Sequence, residues 1–123
     1  MKYKRIDHLA LHVSDLQRSI IFYETRFGFE KYFEHPIPTG QIIAYLRLGD
    51  TVLEILAKPE EGISGFHFCL EVDDFDEAVA TLSTAGVPVV TPPHKTAARE
   101  PREETWRRVV FAGPDGEQIE LRG

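Results

Sequence analysis

Apolar and polar positions alternate from residue 6 to residue 13. Leu9, Leu11 and Val13 take one side and His8, Ala10 and His12 the other, the period of a strand. From residue 16 the spacing lengthens. Leu16, Ile20, Tyr23 and Phe27 fall on one stripe, as an amphipathic helix requires. Ser14-Asp15-Leu16-Gln17 reads as a capping box, with Ser14 accepting from the first helical N–H groups, and Gly28 supplies a left-handed stop. Three strand segments follow at 29–34, 41–48 and 51–57. The Pro-rich turn 35–40 and a tight hairpin at Gly49-Asp50 separate them. The pattern predicts that 41–48 is well buried. In 51–57, Val52, Glu54 and Leu56 share one face and Leu53 and Ile55 the other.

The same order returns in the second half. Residues 66–72 form a strand with Phe66, Phe68, Leu70 and Val72 on one face and His67, Cys69 and Glu71 on the other. Asp73 or Asp74 caps a second helix whose stripe is Phe75, Val79, Leu82 and Ala85, ended by Gly86. A short strand at 87–90 leads through Pro92-Pro93 into a polar stretch, 94–105, expected to be irregular. Residues 106–112 and 117–122 alternate again around the turn Gly113-Pro114-Asp115-Gly116. Superposing His8 on His67 also aligns Val13 with Val72, Asp15 with Asp74 and Ser19 with Ala78, all by one constant offset. Glu54 and Glu120 match at a slightly longer offset. The chain thus reads as an α+β fold of two copies of a strand–helix–strand–strand–strand unit. Module one covers 1–58, a linker 59–65, and module two 66–123. Small units bury too little surface alone, so the copies are expected to share a core and leave a concave sheet face.

Composition narrows the function. A net charge of −6 over 123 residues argues against sequence-independent nucleic-acid binding, which neutralises phosphates with Lys and Arg. The single cysteine, Cys69, excludes an internal disulfide and fits a reducing compartment. No stretch has the apolar run of a signal peptide or approaches the roughly 20 residues of a membrane span, so a cytoplasmic location is expected.

His8, Glu54, His67 and Glu120 carry the candidate chemistry. Two imidazoles and two carboxylates suit a divalent first-row cation, and the carboxylates would neutralise it. Without a cation, facing carboxylates would repel. Glu54 lies between Val52 and Leu56 on its own face, where an ionised group needs a partner. Single histidines on strands are weak evidence; a His and a Glu at matching points of two modules are stronger.

The stretch DHLALHVSDLQRSIIFYETRFGF resembles the opening of the vicinal oxygen chelate superfamily, which includes glyoxalase I, bleomycin-resistance proteins, methylmalonyl-CoA epimerase and extradiol dioxygenases. The closing PDGEQIELRG is most similar to the glyoxalase I (lactoylglutathione lyase) branch. The resemblance implies paired βαβββ modules around a U-shaped mixed-sheet cleft, a homodimer, and a single metal ion per site. It matches His8, Glu54, His67 and Glu120 to the four ligands, with Ni²⁺, Co²⁺, Zn²⁺ or Mn²⁺ all compatible. It also implies a small substrate with neighbouring oxygens, such as a hemithioacetal, and proton transfer through an enediolate with Glu120 or Glu54 as base. Return of the proton to the neighbouring carbon gives a lyase, and return to the same carbon an epimerase. A drug-binding module lined by Phe33, Tyr45 and Trp106 is the non-catalytic alternative.

At two positions the chain departs from the glutathione-handling relatives. His12 stands where they carry an arginine that holds glutathione, and Lys58 where they carry an asparagine. Both departures bear against glutathione. His12 shares the face of His8 and is a candidate substrate contact, as is Arg102 with Lys95 and Arg99 in the polar stretch. Arg107 and Arg108 fall on opposite faces of one strand. His35 and His94 are expected in loops, and Cys69 as a buried inert thiol.

Overall fold

In the computed structural model, residues 2, 5–58 and 67–123 are described; Phe66 and the expected linker 59–65 lie outside them. The chain divides into two compact units, Met1–Ile63 and Ser64–Gly123. Unit 1 runs β1 (Leu9–Val13), α1 (Leu16–Phe27), β2 (Glu30–Pro36), β3 (Ile42–Leu48) and β4 (Thr51–Ala57). Unit 2 runs β5 (His67–Glu71), α2 (Phe75–Thr84), β6 (Val89–Lys95), a 3₁₀ turn (Pro101–Glu103), β7 (Arg107–Ala112) and β8 (Gln118–Arg122). Each unit therefore has the expected βαβββ order, in a mixed four-stranded sheet. The strand orders are β1-β4-β3-β2 and β5-β8-β7-β6, with β1 parallel to β4 and β5 parallel to β8. No helix among the described residues is long and apolar enough to cross a membrane.

In both units the helix covers one sheet face, and strand periodicity sorts the side chains. In β4, Leu53 and Ile55 are fully buried with Leu11, Ile20 and Tyr23, while Glu54 between them turns to the opposite face. Burying a side chain such as Leu53 contributes roughly 1.5–3 kcal/mol. In β8, Ile119 and Leu121 are buried with Val109, Phe111 and Phe75, and Glu120 faces away from them.

Several sequence expectations are corrected. Asp15, not Ser14, caps α1: its carboxylate accepts from Arg18 N–H at 3.0 Å, while Ser14 Oγ accepts from the Arg18 guanidinium at 2.6 Å. The helix starts one residue later than the capping box requires, and an anion is the stronger acceptor at a helix N-terminus. Asp74 caps α2 in the same way. β3 is buried on one face only, with Ala44 and Leu46 inside and Ile43, Tyr45 and Arg47 on the other face not buried, because α1 covers a single side. Ala85 is exposed rather than part of the α2 stripe. His35 lies in β2, and His94 and Lys95 in β6, not in loops. β2 and β6 are edge strands, where prolines and shifted register are tolerated.

Candidate functional site

The sheet face of unit 1 opposite α1 brings His8 and Glu54 together. His8 precedes β1 and Glu54 lies mid-β4, directly opposite Ala10; the His8 Nε2 atom is 3.1 Å from Glu54 Oε2. The other ring nitrogen, Nδ1, lies 3.1 Å from Asp7 Oδ2, and that hydrogen bond lowers the Asp7 carboxyl below its ordinary range. A ring nitrogen facing a carboxylate at this distance needs a hydrogen or a cation between them. With Nδ1–H on Asp7, Nε2 presents a lone pair beside Glu54, the arrangement found behind metal-bound histidines. Tyr45 stands opposite Glu54 on β3 and donates its hydroxyl to Oε2 at 3.0 Å. Burial, followed by that bond and the Glu54 charge, raises the Tyr45 phenol. Phe33 and His35 complete an aromatic group, with the His35 and Tyr45 rings stacked 6.2 Å apart.

Unit 2 places His67 and Glu120 on the sheet face opposite α2, with Nε2 and Oε2 3.6 Å apart. Glu120 is buried, at 7% exposed. Arg108 closes over it, donating from Nε to Oε1 at 2.7 Å, so Oε2 is the oxygen turned toward His67. Arg107 lies on the other face, paired with Asp76 and stacked on Phe75. Cys69 is exposed rather than buried. Desolvation, then the charge of Glu120, pushes its thiol up to about 11, which keeps it protonated.

His12 is half-buried on β1, opposite Leu56. Arg102 bonds Glu100 and Glu71 and lies over the Trp106 ring at 4.8 Å. It does not line the cavity of about 370 Å³ on this face, whose walls include His67, Arg99, Trp106, Glu120 and Arg122.

Each His–Glu pair has a spacing that suits two donors to one divalent ion. Two donors each about 2.1 Å from a metal stand about 3.0–3.4 Å apart for octahedral or tetrahedral angles. The His–Glu separations of 3.1 and 3.6 Å are close to that range. Each unit supplies one nitrogen and one oxygen; no group of three or more His, Cys, Asp or Glu suited to an ion occurs among the described residues. Asp7, Tyr45 and Arg108, which hold three of the four donors, escaped the reading of the sequence. Two were within reach of it: a two-residue turn at Gly49-Asp50 sets Tyr45 against Glu54, and the 113–116 turn sets Glu120 against Val110, two residues from Arg108.

Comparison with known proteins gives consistent relationships. The family model described as Glyoxalase/Bleomycin resistance protein/Dioxygenase superfamily matches residues 5–121. Mitochondrial methylmalonyl-CoA epimerase of Bos taurus is 29% identical over 123 residues, covering 89% of this chain and 67% of that protein. Among solved structures, a glyoxalase family protein from Enterococcus faecalis superposes with a TM-score of 0.83 at 26% identity over the whole of both chains. The fosfomycin resistance protein FosX from Listeria monocytogenes, complexed with Mn(II) and sulfate, gives 0.75 at 16% identity, covering 99% of this chain and 93% of that one.

Proposed function

Because this chain belongs to the Glyoxalase/Bleomycin resistance protein/Dioxygenase superfamily, we propose that it is a metal-dependent enzyme that moves a proton at a carbon beside oxygen. His8, Glu54, His67 and Glu120 together hold one divalent ion, with the two pairs contributed by one chain or by two chains of a homodimer. The observation that carries this reading is the repeated imidazole–carboxylate pair, one on the face of each sheet opposite its helix.

The reaction type is epimerisation rather than the glyoxalase I-like lyase reaction that the closing sequence suggests. Similarity to methylmalonyl-CoA epimerase over 89% of the chain supports that choice, as do His12 and Lys58 at the two positions expected to serve glutathione. The substrate class is an acyl thioester whose α-carbon is flanked by a second carbonyl group. A divalent ion, when bound, supplies Lewis-acid polarisation of the substrate's oxygens. Glu54 or Glu120 takes the α-proton, and the C–H electron pair moves into the neighbouring carbonyl. Delivery of a proton to the opposite face of the same carbon completes epimerisation. Tyr45 fixes the orientation of Glu54, and Arg108 that of Glu120. Exposed Ile6, Phe33, Ile42, Val89 and Val90 favour burial against a second copy.

The test is solvent exchange. Metal-loaded protein in D₂O is expected to place deuterium at C2 of methylmalonyl-CoA and interconvert its epimers, and to leave methylglyoxal with glutathione unchanged. A filled metal site with no exchange would remove the epimerase reading; turnover of the hemithioacetal would restore the lyase.

A further inference from the structure

Arg122 is an arginine with unspent donors in a confined place. Its side chain is 15% exposed, yet its one side-chain hydrogen bond among the described residues is from Nη2 to the Ala97 carbonyl, at 3.0 Å. Its Nε is buried without a partner. A guanidinium carries five N–H donors, and leaving such donors unmet in a desolvated position is costly. The nearest carboxylate does not meet the need. Glu103 lies 3.6 Å from Arg122 Nη2 but is already held by Arg99 through both its backbone N–H and its guanidinium. Two cations thus share one buried anion.

Arg122 and Arg99 both line the cavity of about 370 Å³ that also holds His67, Glu120 and Trp106. The other charges on this wall are matched: Glu120 by Arg108 at 2.7 Å and Glu71 by Arg102 at 3.2 Å. The volume lies at the lower end of the roughly 300–1,000 Å³ of small-molecule sites, room for a short acyl group. An oxyanion with two oxygens in a plane matches a guanidinium edge and adds a charge-assisted pair.

We propose that this cavity is the seat of a substrate carboxylate, bound by Arg122 with Arg99 beside it, next to His67 and Glu120. The proposal rests on the epimerase reading and deepens it. It assigns the acidic arm of the acyl thioester to unit 2, and makes Arg122 the residue that distinguishes carboxylated acyl groups from uncharged ones.

Trp106, the single tryptophan of the chain, lines the cavity and serves as a reporter. The full chain as purified is titrated with propionate at constant ionic strength in chloride, and separately with inorganic phosphate. Binding is followed by Trp106 fluorescence and by broadening of the propionate methyl signal. Saturable propionate binding is expected, weakened tenfold or more in R122Q and severalfold in R122K, which keeps a cation beside Glu103 but loses the fork. If R122Q does not fold, R122K carries the comparison. Absence of saturable binding by both readouts, wild-type affinity in the folded variants, or phosphate binding at least as tight as propionate would each overturn the assignment. Arg122-dependent propionate binding without exchange at C2 of methylmalonyl-CoA would leave the carboxylate seat standing and remove the enzyme reading. Exchange by R122Q at the wild-type KM would do the reverse.

Discussion

Tyr45 and Glu54 stand directly opposite each other on β3 and β4, and the Tyr45 hydroxyl donates to the carboxylate oxygen that faces His8. A hydroxyl in that position fixes the carboxylate rotamer before any ion arrives. Removing such an outer partner typically costs about 10–100-fold in metal affinity. Y45F is therefore expected to keep its fold and lose metal affinity within that range, read by competition with a chromogenic chelator. Wild-type affinity would make the hydroxyl irrelevant to the site.

Arg108 stands in the same relation to Glu120, but as a cation on a nearly buried anion. R108M strips the 2.7 Å bond and leaves the acceptor unmet, which costs about 1–3 kcal/mol. The urea midpoint is expected to fall accordingly, with R108K losing less. Equal stability of R108M and wild type would show that water replaces the guanidinium without cost.

Glu103 ties the 3₁₀ turn to Arg99. Hydrogen bonds from Arg99 lower its carboxyl from the ordinary 4.5 to about 2. A group depressed on folding stabilises fully above its unfolded value, and that contribution is lost as pH falls through its folded value. Wild-type stability relative to E103Q is thus expected to be constant above about pH 4.5 and to shrink steadily toward pH 2, measured as the difference in urea midpoints. A difference that does not change across that window would contradict the pairing.

Cys69 is exposed but protonated. Raising the thiol from 9.0 to about 11 cuts the thiolate fraction near pH 8 by roughly a hundredfold, and the thiolate is the reactive form. Alkylation by iodoacetamide is expected to be slow at pH 8 and to climb about tenfold per pH unit until the thiol titrates. Reaction at the rate of an unperturbed thiol would show that Cys69 lies outside the desolvated face.

Much of this was legible in the chain because period-two strands force the choice of face. Once Leu53 and Ile55 are buried, Glu54 must turn away; once Phe68 is buried, His67 must do the same. The repeat then matched His8 with His67 and Glu54 with Glu120. Long polar side chains were harder to read. Arg108 reaches Glu120 diagonally across two strands, and Asp7 turns back on its neighbour's ring, contacts that depend on rotamers rather than periodicity. The continuation of edge strand β6 to Lys95 was hidden because Pro92-Pro93 signals a break in isolation, whereas a sheet edge accommodates it. Capping fell to Asp15 over Ser14 by one residue, within the usual uncertainty of helix ends.

The proposal that one ion is held jointly by both His–Glu pairs is tested most directly by metal stoichiometry. Protein titrated with Co²⁺ or Ni²⁺ should bind one equivalent per chain, and H8A and H67A should each lose it. A pair acting alone would leave the other histidine dispensable, so full tight binding by either variant, or none by the wild type, would contradict the shared site.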